Sequence, residues 1–179
     1  MERYIALLRG INVSGKNKIA MAPLKASFVE LGCTAVSTYL NSGNVIFGGD
    51  IDDMAAFADR IEAAIKIEFN LDIPIFIISQ KELEDILSNA PDWWGNDNKE
   101  IYDNLIFMFP TLTYDEFYDK VGKLSEEYEK SYRYKNAVFW SFSRKDYQKT
   151  NWWSKTASSS IRDKITIRTA NTVRKIVEM

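Results

Sequence analysis

Hydrophobic and polar positions in the first half of the chain are spaced in a way that predicts four strands and two helices. Short apolar runs predict strands near residues 3–9, 35–40, 45–47 and 73–78. Between these runs, apolar residues recur every three or four positions on two helical faces: Leu24, Phe28 and Leu31 on the first, and Met54, Phe57, Ile61, Ile65 and Phe69 on the second. Pro74 cannot donate to a β ladder, so the fourth strand is expected at a sheet edge. The predicted order is β-α-β-β-α-β.

The second half of the chain repeats this order. Strands are predicted at residues 104–109, 128–134, 137–143 and 164–168. Helices are predicted from the capping box that begins at Thr113, over residues 145–161, and as a short closing helix over residues 171–177. The pattern therefore predicts an α+β fold with two tandem ferredoxin-like βαββαβ units, over residues 1–79 and 101–179, joined by a linking helix and a Trp-rich loop over residues 80–100. One sheet assembled from all eight strands is the alternative.

The composition excludes several kinds of chemistry. The 179 residues include no histidine, which excludes Ser-His-Asp and Cys-His triads and histidine metal sites. The single cysteine, Cys33, cannot form an intrachain disulfide or a thiolate metal cluster, and this usage fits a cytoplasmic protein. No apolar run reaches the roughly 18 residues of a membrane span. We expect a globular protein with no metal, no cofactor and no membrane partner.

Charge is segregated along the chain. Acidic residues outnumber basic ones from Lys81 to Glu129, whereas basic residues outnumber acidic ones from Lys130 to Lys175. Aromatic residues are interleaved with the basic ones: Tyr132, Tyr134, Trp140, Tyr147, Trp152 and Trp153. Single-strand nucleic-acid binders use such a mixture for phosphate attraction and base stacking. The alternative is that the two segments neutralise each other and the aromatics are core. If the strand face that carries Val138, Trp140 and Phe142 is core, only Phe139 remains in that strand for stacking.

A glycine loop follows the first strand. Residues 10–17 satisfy the spacing Gly-x4-Gly-Lys, which suggests a nucleotide-binding P-loop. Asn17 stands where a P-loop needs Ser or Thr, however, and residues 19–23 separate Lys16 from the helix that should begin there. What remains is a loop whose backbone N–H groups, flanked by Arg9, Lys16 and Lys18, could cradle an anion. The alternative is a turn that needs its glycines only for positive φ.

Several motifs resemble those of the bacterial domain-of-unknown-function family 1697. They are Arg-Gly-Ile-Asn-Val at residues 9–13, Ser-Gly-Asn-Val at 42–45, and the weaker terminal motif at 165–168 and 171–173. This resemblance spans almost the whole chain, and it implies a duplicated ferredoxin-like fold but no activity. The family usually has a second glycine where Ser14 stands, so the backbone of this loop is expected to have less conformational freedom here.

The candidate ligand-binding residues are polar groups at strand ends and turns. If the first and third strands are antiparallel, the end of one meets the start of the other, which places Arg9 and Asn12 beside Ser42 and Asn44. We expect Arg9 to be a bidentate donor to a phosphate or carboxylate. The full set is Arg9, Asn12, Lys16, Ser42, Asn44, Arg168 and Thr172. Arg168 and Thr172 would join it only if the two units face each other.

The expected function is a non-catalytic binding module for an anionic ligand or single-stranded nucleic acid. One alternative is a histidine-independent enzyme on a small anionic substrate, with Lys16 or Tyr39 as the proton-transfer candidate. Another is a scaffold for a protein partner, in which Trp93 and Trp94 serve as anchors rather than as a small satellite core. Edge strands of the two sheets could pair between chains, so a homo-oligomer is a further expectation.

Overall fold

The computed structural model describes residues 1–158 and 160–179. Its first half contains the elements β1 Glu2–Leu8, α1 Met21–Glu30, β2 Thr34–Tyr39, β3 Asn44–Gly49, α2 Met54–Phe69, β4 Ile75–Ser79 and α3 Gln80–Ser88. All six elements predicted for the first unit, and the linking helix, are present within a few residues of the predicted bounds. None of the helices in the described residues is both long and apolar enough to cross a membrane.

The second half contains β5 Ile101–Met108, α4 Tyr114–Val121, β6 Glu129–Tyr134, β7 Ala137–Ser143, α5 Trp152–Ser158, β8 Ile165–Thr169 and α6 Ala170–Glu178. The continuous helix predicted over residues 145–161 is wrong. A short 3-10 turn at Tyr147–Lys149 precedes α5, and another follows at Arg162–Lys164. Thr150 and Asn151 are poor helix formers and separate the first turn from α5. Residue 159 of the predicted helix lies outside the described residues.

The strands form two antiparallel sheets of four rather than one sheet of eight. The strand orders are β2-β3-β1-β4 and β6-β7-β5-β8. In the first sheet, β1 lies between β3 and β4 and is antiparallel to both. In the second, β5 has the same central position between β7 and β8. The predicted edge position of the fourth strand is confirmed, and Pro74 stands just before that strand.

The chain divides into two compact units. Unit 1 comprises Met1–Glu84 and Ile176–Met179, and unit 2 comprises Asp85–Lys175. One unit boundary therefore falls inside α3 and the other inside α6, whereas the sequence pattern placed the boundaries at the ends of elements. Within unit 1, the Gln80 side-chain amide donates to the Val177 carbonyl oxygen at 2.7 Å. This bond ties the last residues of the chain to the start of α3.

Unit 1 packs its two helices against its sheet. Asp53 caps α2 by accepting hydrogen bonds from the N–H groups of Ala55 and Ala56. On the inner side of α2, Ile61 and Ile65 are fully buried. The burial of each side chain stabilises the folded state by about 1.5–3 kcal/mol relative to an exposed side chain. The cluster also contains Phe28, Phe47, Phe57 and Cys33. This core fixes the sheet whose strand ends carry most of the candidate site.

Unit 2 has an aromatic core. The Phe117 ring meets the Trp152 ring edge-on at 5.2 Å, and Trp140 lies 6.1 Å from Trp152. Phe139 points to the other sheet face, where the Trp94 ring packs against it at 5.0 Å. Trp94 is 4% exposed and donates its indole N–H to the Asn104 carbonyl oxygen. Trp94 therefore forms a small satellite core with Phe139 rather than an exposed interface anchor.

Candidate functional site

The antiparallel pairing of β1 with β3 brings the end of one to the start of the other. Leu7 pairs with Asn44, and the Leu8 N–H donates to the Gly43 carbonyl oxygen at 2.8 Å. The Arg9 N–H donates to the Pro74 carbonyl oxygen at 2.9 Å. The predicted juxtaposition of the glycine loop with the 41–44 turn is therefore confirmed. We call residues 9–19 and 40–44 the rim.

The glycine loop folds into a miniature hairpin. The Lys16 N–H donates to the Val13 carbonyl oxygen at 2.9 Å, and the residues between them, Ser14 and Gly15, have φ of +49° and +75°. Positive φ at both central positions is typical of a two-residue type I′ turn. In the described part of the chain, the N–H groups of Ser14 and Gly15 donate to no protein acceptor. No helix begins at Lys16, which agrees with the sequence argument against a P-loop.

Asn12 holds the rim together. Its side-chain Nδ2 donates to the carbonyl oxygens of Ile19 at 2.9 Å and Asn41 at 2.8 Å, and its Oδ1 accepts from the Ile19 N–H at 3.0 Å. Its own backbone adopts φ +54°, which Asn tolerates better than most residues. Both amide protons of Asn12 are therefore already bound to the backbone. In this geometry Asn12 positions the loop.

Asn44 and Ser42 form the other half of the rim. Asn44 is fully buried, and its Nδ2 donates to the Tyr39 carbonyl oxygen and to Ser42 Oγ, each at 2.9 Å. Ser42 is exposed. Asn44 thus shapes the turn from within, whereas the Ser42 hydroxyl lies at the surface, where it can meet a ligand.

Gly43 permits the close approach of the turn to β1. Its φ is +77°, and a Cβ built on it would lie 2.6 Å from Leu8 Cβ and 2.9 Å from Ile11 Cδ1. The neighbouring Leu40 also has positive φ, at +56°, and its side chain is 56% exposed. A bulky side chain with left-handed backbone is uncommon, so the turn holds strain that the surrounding bonds sustain.

The charged side chains of the rim are all positive. They are Arg9, Lys16 and Lys18, of which both lysines are exposed and Arg9 is half-buried. The adjacent loop before β4 carries Asp72, whose carboxylate lies 2.6 Å from Lys66 Nζ.

Arg168 and Thr172 lie in unit 2, apart in the chain from the five other candidates in unit 1. Arg168 donates from Nη1 to Thr166 Oγ1 and to the Ile167 carbonyl oxygen, each at 2.9 Å. Thr172 Oγ1 lies 3.1 Å from Thr169 Oγ1, and Thr169 Oγ1 accepts from the Thr172 N–H at 3.4 Å. This second contact caps the first turn of α6. In unit 2 both residues have local structural partners.

Sequence reasoning did not find two polar features of unit 2. The first is a surface cavity of about 260 Å³ that residues of both charges line, among them Lys99, Asp103 and Arg144. The Arg144 guanidinium lies 3.7 Å from the centre of the Tyr102 ring, and Asp103 accepts a hydrogen bond from Ser141. These residues come from separate segments and form no spaced motif, so no pattern along the chain signals them.

The second feature is the buried carboxylate of Glu129, which is 3% exposed. Its oxygens accept from the Trp140 indole N–H at 3.0 Å and from the N–H groups of Ser125 at 2.9 Å and Asn151 at 2.7 Å. These bonds join the start of β6 to β7 and to the residue before α5. A glutamate at the start of a strand is normally expected to be exposed to solvent, so the sequence gives no sign that Glu129 is a buried hydrogen-bond acceptor.

Cys33 is buried, and burial raises the pKa of its thiol to about 11, a rise that the Arg60 guanidinium only partly opposes. The thiol is therefore protonated at neutral pH, which disfavours a nucleophilic role. Among the described residues, no group of three or more Cys, Asp or Glu is arranged to hold a metal ion. Trp140 and Phe139 are 2% and 0% exposed, so β7 offers neither ring for base stacking.

The chain resembles known proteins in both sequence and fold. A solved structure described as "conserved bacterial protein SP0830 from Streptococcus pneumoniae" is 33% identical, with a TM-score of 0.84 over 99% of this chain and 97% of that chain. Among curated proteins there is no match. The family described as "Protein of unknown function (DUF1697)" matches residues 1–139, the range that contains the Arg-Gly-Ile-Asn-Val and Ser-Gly-Asn-Val motifs. The chain therefore belongs to the DUF1697 family.

Proposed function

We propose that this protein is a non-catalytic binding module that holds a phosphate or another small anion at the rim of unit 1. The observation that carries the proposal is a concentration of left-handed backbone. Of the eight non-glycine residues with positive φ in the described chain, four lie in the rim: Asn12, Ser14, Asn17 and Leu40. Such conformations persist only where the surroundings enforce them, and they cluster at ligand sites.

The charge of the rim supports an anion as the ligand. Lys16 closes the hairpin turn, Lys18 follows the hairpin, and both are exposed, while Arg9 directly follows β1. The Ser14 and Gly15 N–H groups at the hairpin tip are additional donors, and within the described residues they donate to no protein acceptor. Backbone donors and cations on one preorganised surface are the features that bind oxyanions. We assign Arg9 the bidentate contact and the Ser42 hydroxyl a supporting one.

We further propose that each unit is a ferredoxin-like fold and that the two arose by duplication within a cytoplasmic protein. The shared strand order supports this, because β2-β3-β1-β4 and β6-β7-β5-β8 place the first, third and fourth strands of each half in the same positions. The use of a single, unpaired cysteine supports the compartment. Arg168 and Thr172 are retained as candidate ligands on sequence grounds alone.

The test uses Cys33, which belongs to the core of unit 1, as the reporter of that unit's unfolding. In moderate urea, labelling of Cys33 by a thiol reagent is followed with added inorganic phosphate or with sodium chloride at the same ionic strength. A ligand at ten times its Kd stabilises the folded state by about 1.4 kcal/mol, so labelling should slow about tenfold. Equal labelling rates in the two salts would exclude phosphate-type anions as ligands of the rim.

Variants locate the effect. Arg9→Ala and Lys16→Ala should remove the phosphate response, while Lys25→Ala, which changes an exposed cation on α1, should keep it. Anisotropy of labelled single-stranded RNA at low and moderate salt separates the nucleic-acid alternative, because phosphate-driven binding weakens as salt rises. A scaffold function would be indifferent to Arg9→Ala. An enzyme would lose turnover as well as the phosphate response.

A further inference from the structure

The four edge strands of the two sheets differ in how they are protected against pairing with another chain. β2 carries a register shift between Thr34 and Ser37. At the start of β4, Glu62 Oε1 accepts the Ile75 N–H at 2.8 Å. In β8, the Arg168 side chain takes up the Ile167 carbonyl oxygen. A bulge and blocked main-chain groups are ways in which natural proteins protect sheet edges.

The remaining edge, β6, is regular. All six residues from Glu129 to Tyr134 pair in unbroken register with β7, from Phe142 to Ala137. The two-residue turn makes Tyr134 and Ala137 the hydrogen-bonded closing pair, and alternation then directs the N–H and C=O groups of Ser131 and Arg133 away from β7. In the described residues, these main-chain groups bond to no other strand or loop.

The side chains of β6 give this edge a definite chemistry. Lys130 and Arg133 are exposed, and neither forms an ion pair within the described residues. Tyr132 is 46% exposed and rests beside Phe139, with ring centres 6.3 Å apart. Lys130 and Tyr132 lie on one face because they are two residues apart in a strand, and Arg133 lies on the other. The edge thus presents a cation and an aromatic ring side by side.

We propose that β6 is a docking edge that takes an extended acidic segment of a partner protein as a fifth strand of its sheet. The partner strand would hydrogen-bond to the main chain of Ser131 and Arg133, which gives affinity, while its side chains give specificity. Opposite charges across a strand pair stabilise it, as do aromatic pairs. In an antiparallel partner, carboxylates therefore belong opposite Lys130 and Arg133, and an aromatic residue belongs opposite Tyr132.

Charge favours an acidic segment over a second copy of this chain. Two β6 strands brought together would gather four cations, two Lys130 and two Arg133, on one short edge. An acidic strand neutralises these cations instead of doubling them. The proposal is independent of the anion site in unit 1, because every residue that it uses belongs to unit 2.

The probe is a fluorescein-labelled, capped peptide with the sequence Thr-Glu-Tyr-Thr-Glu-Thr, titrated with the full chain in an anisotropy assay. We expect saturable binding that weakens as salt rises, together with slower amide exchange at Ser131 and Arg133. The same peptide with lysine in place of glutamate should bind at least tenfold more weakly. No saturable binding of the acidic peptide at millimolar protein would overturn the proposal.

Proline at the edge separates strand addition from simple charge attraction. Ser131→Pro removes an N–H that points away from β7, so the fold should survive and peptide binding should be lost, while Ser131→Ala should bind normally. Lys130→Glu should weaken binding of the acidic peptide about tenfold and favour the lysine peptide. If Ser131→Pro folds and binds like Ser131→Ala, strand addition is wrong. If the wild-type chain is a dimer by light scattering and Ser131→Pro is a monomer, the occupant is a second copy and the acidic partner is wrong.

Discussion

Replacing Asn12 by glycine measures how strongly one side chain holds the rim. The change removes three hydrogen bonds of 2.8 to 3.0 Å, two from Nδ2 and one to Oδ1. Glycine accepts the left-handed backbone at this position, where φ is +54°, so the variant removes the bonds without adding strain. Asn12→Ala removes the same bonds and leaves a Cβ in that conformation.

The expected loss of stability follows from these contacts. Each bond contributes about 1 kcal/mol net, and the one to Asn41 lies at the surface, so Asn12→Gly should lower the free energy of unfolding of unit 1 by about 2 to 3 kcal/mol. Asn12→Ala should cost about 1 kcal/mol more, because an alanine in the left-handed region is strained. The difference between the two variants isolates the backbone term from the hydrogen bonds.

The chain supplies a separate probe for each unit. Cys33, the only cysteine, lies in unit 1, and all five tryptophans lie in unit 2, at positions 93, 94, 140, 152 and 153. Urea unfolding followed by Cys33 labelling should therefore shift in Asn12→Gly. Tryptophan fluorescence keeps its wild-type midpoint if the units unfold independently and shifts with the Cys33 signal if they unfold together. A change below about 0.5 kcal/mol at Cys33 would refute the view that Asn12 holds the rim.

Three further predictions concern packing, a buried carboxylate and a thiol. Gly43→Ala should destabilise unit 1 by about 3 to 5 kcal/mol in the same urea assay, because the cost of positive φ and the cost of a steric clash add up. Gly15→Ala, with open space around its Cβ, should cost only about 1 to 2 kcal/mol. Equal losses in the two variants would contradict this reasoning. Glu129→Gln should lower the stability of unit 2, followed by tryptophan fluorescence, by about 2 to 4 kcal/mol, because the N–H donors around Glu129 lose a charged acceptor. The control Glu126→Gln, at an exposed position, should change it by under about 0.5 kcal/mol. The folded unit raises the Cys33 pKa from 9.0 to about 11, so stability should fall between those pH values in the wild type and fall less in Cys33→Ala, as thermal unfolding across pH would show.

The sequence predicted the order of elements and the meeting of the two rim segments, but it did not predict the roles of individual polar groups. Helical spacing and turn residues are local signals, which is why α2 and the hairpin before β3 were found. The meeting of the rim segments was predicted on the condition that β1 and β3 are antiparallel, and the structure meets that condition. The bonds of Asn12 to Ile19 and Asn41 depend on φ at one residue and on a turn 29 positions away, so no pattern along the chain contains them.

The same limit explains the basic and aromatic second half. The interleaved cations and aromatic rings form a sequence pattern that is typical of a nucleic-acid-binding surface. However, alternate residues of a strand face opposite sides of the sheet, and both sides of β7 are buried. Trp140 packs in the helix-side core, and Trp94 covers Phe139 on the other side. Of the aromatic residues interleaved with the cations, Tyr132 on the edge strand β6 and Trp153 on α5 are exposed, at 46% and 44%. Base stacking on β7 needs open rings, which Phe139 and Trp140 do not offer, whereas strand addition needs open main chain, which β6 has at Ser131 and Arg133. We therefore propose an extended peptide at the β6 edge rather than bases stacked on β7.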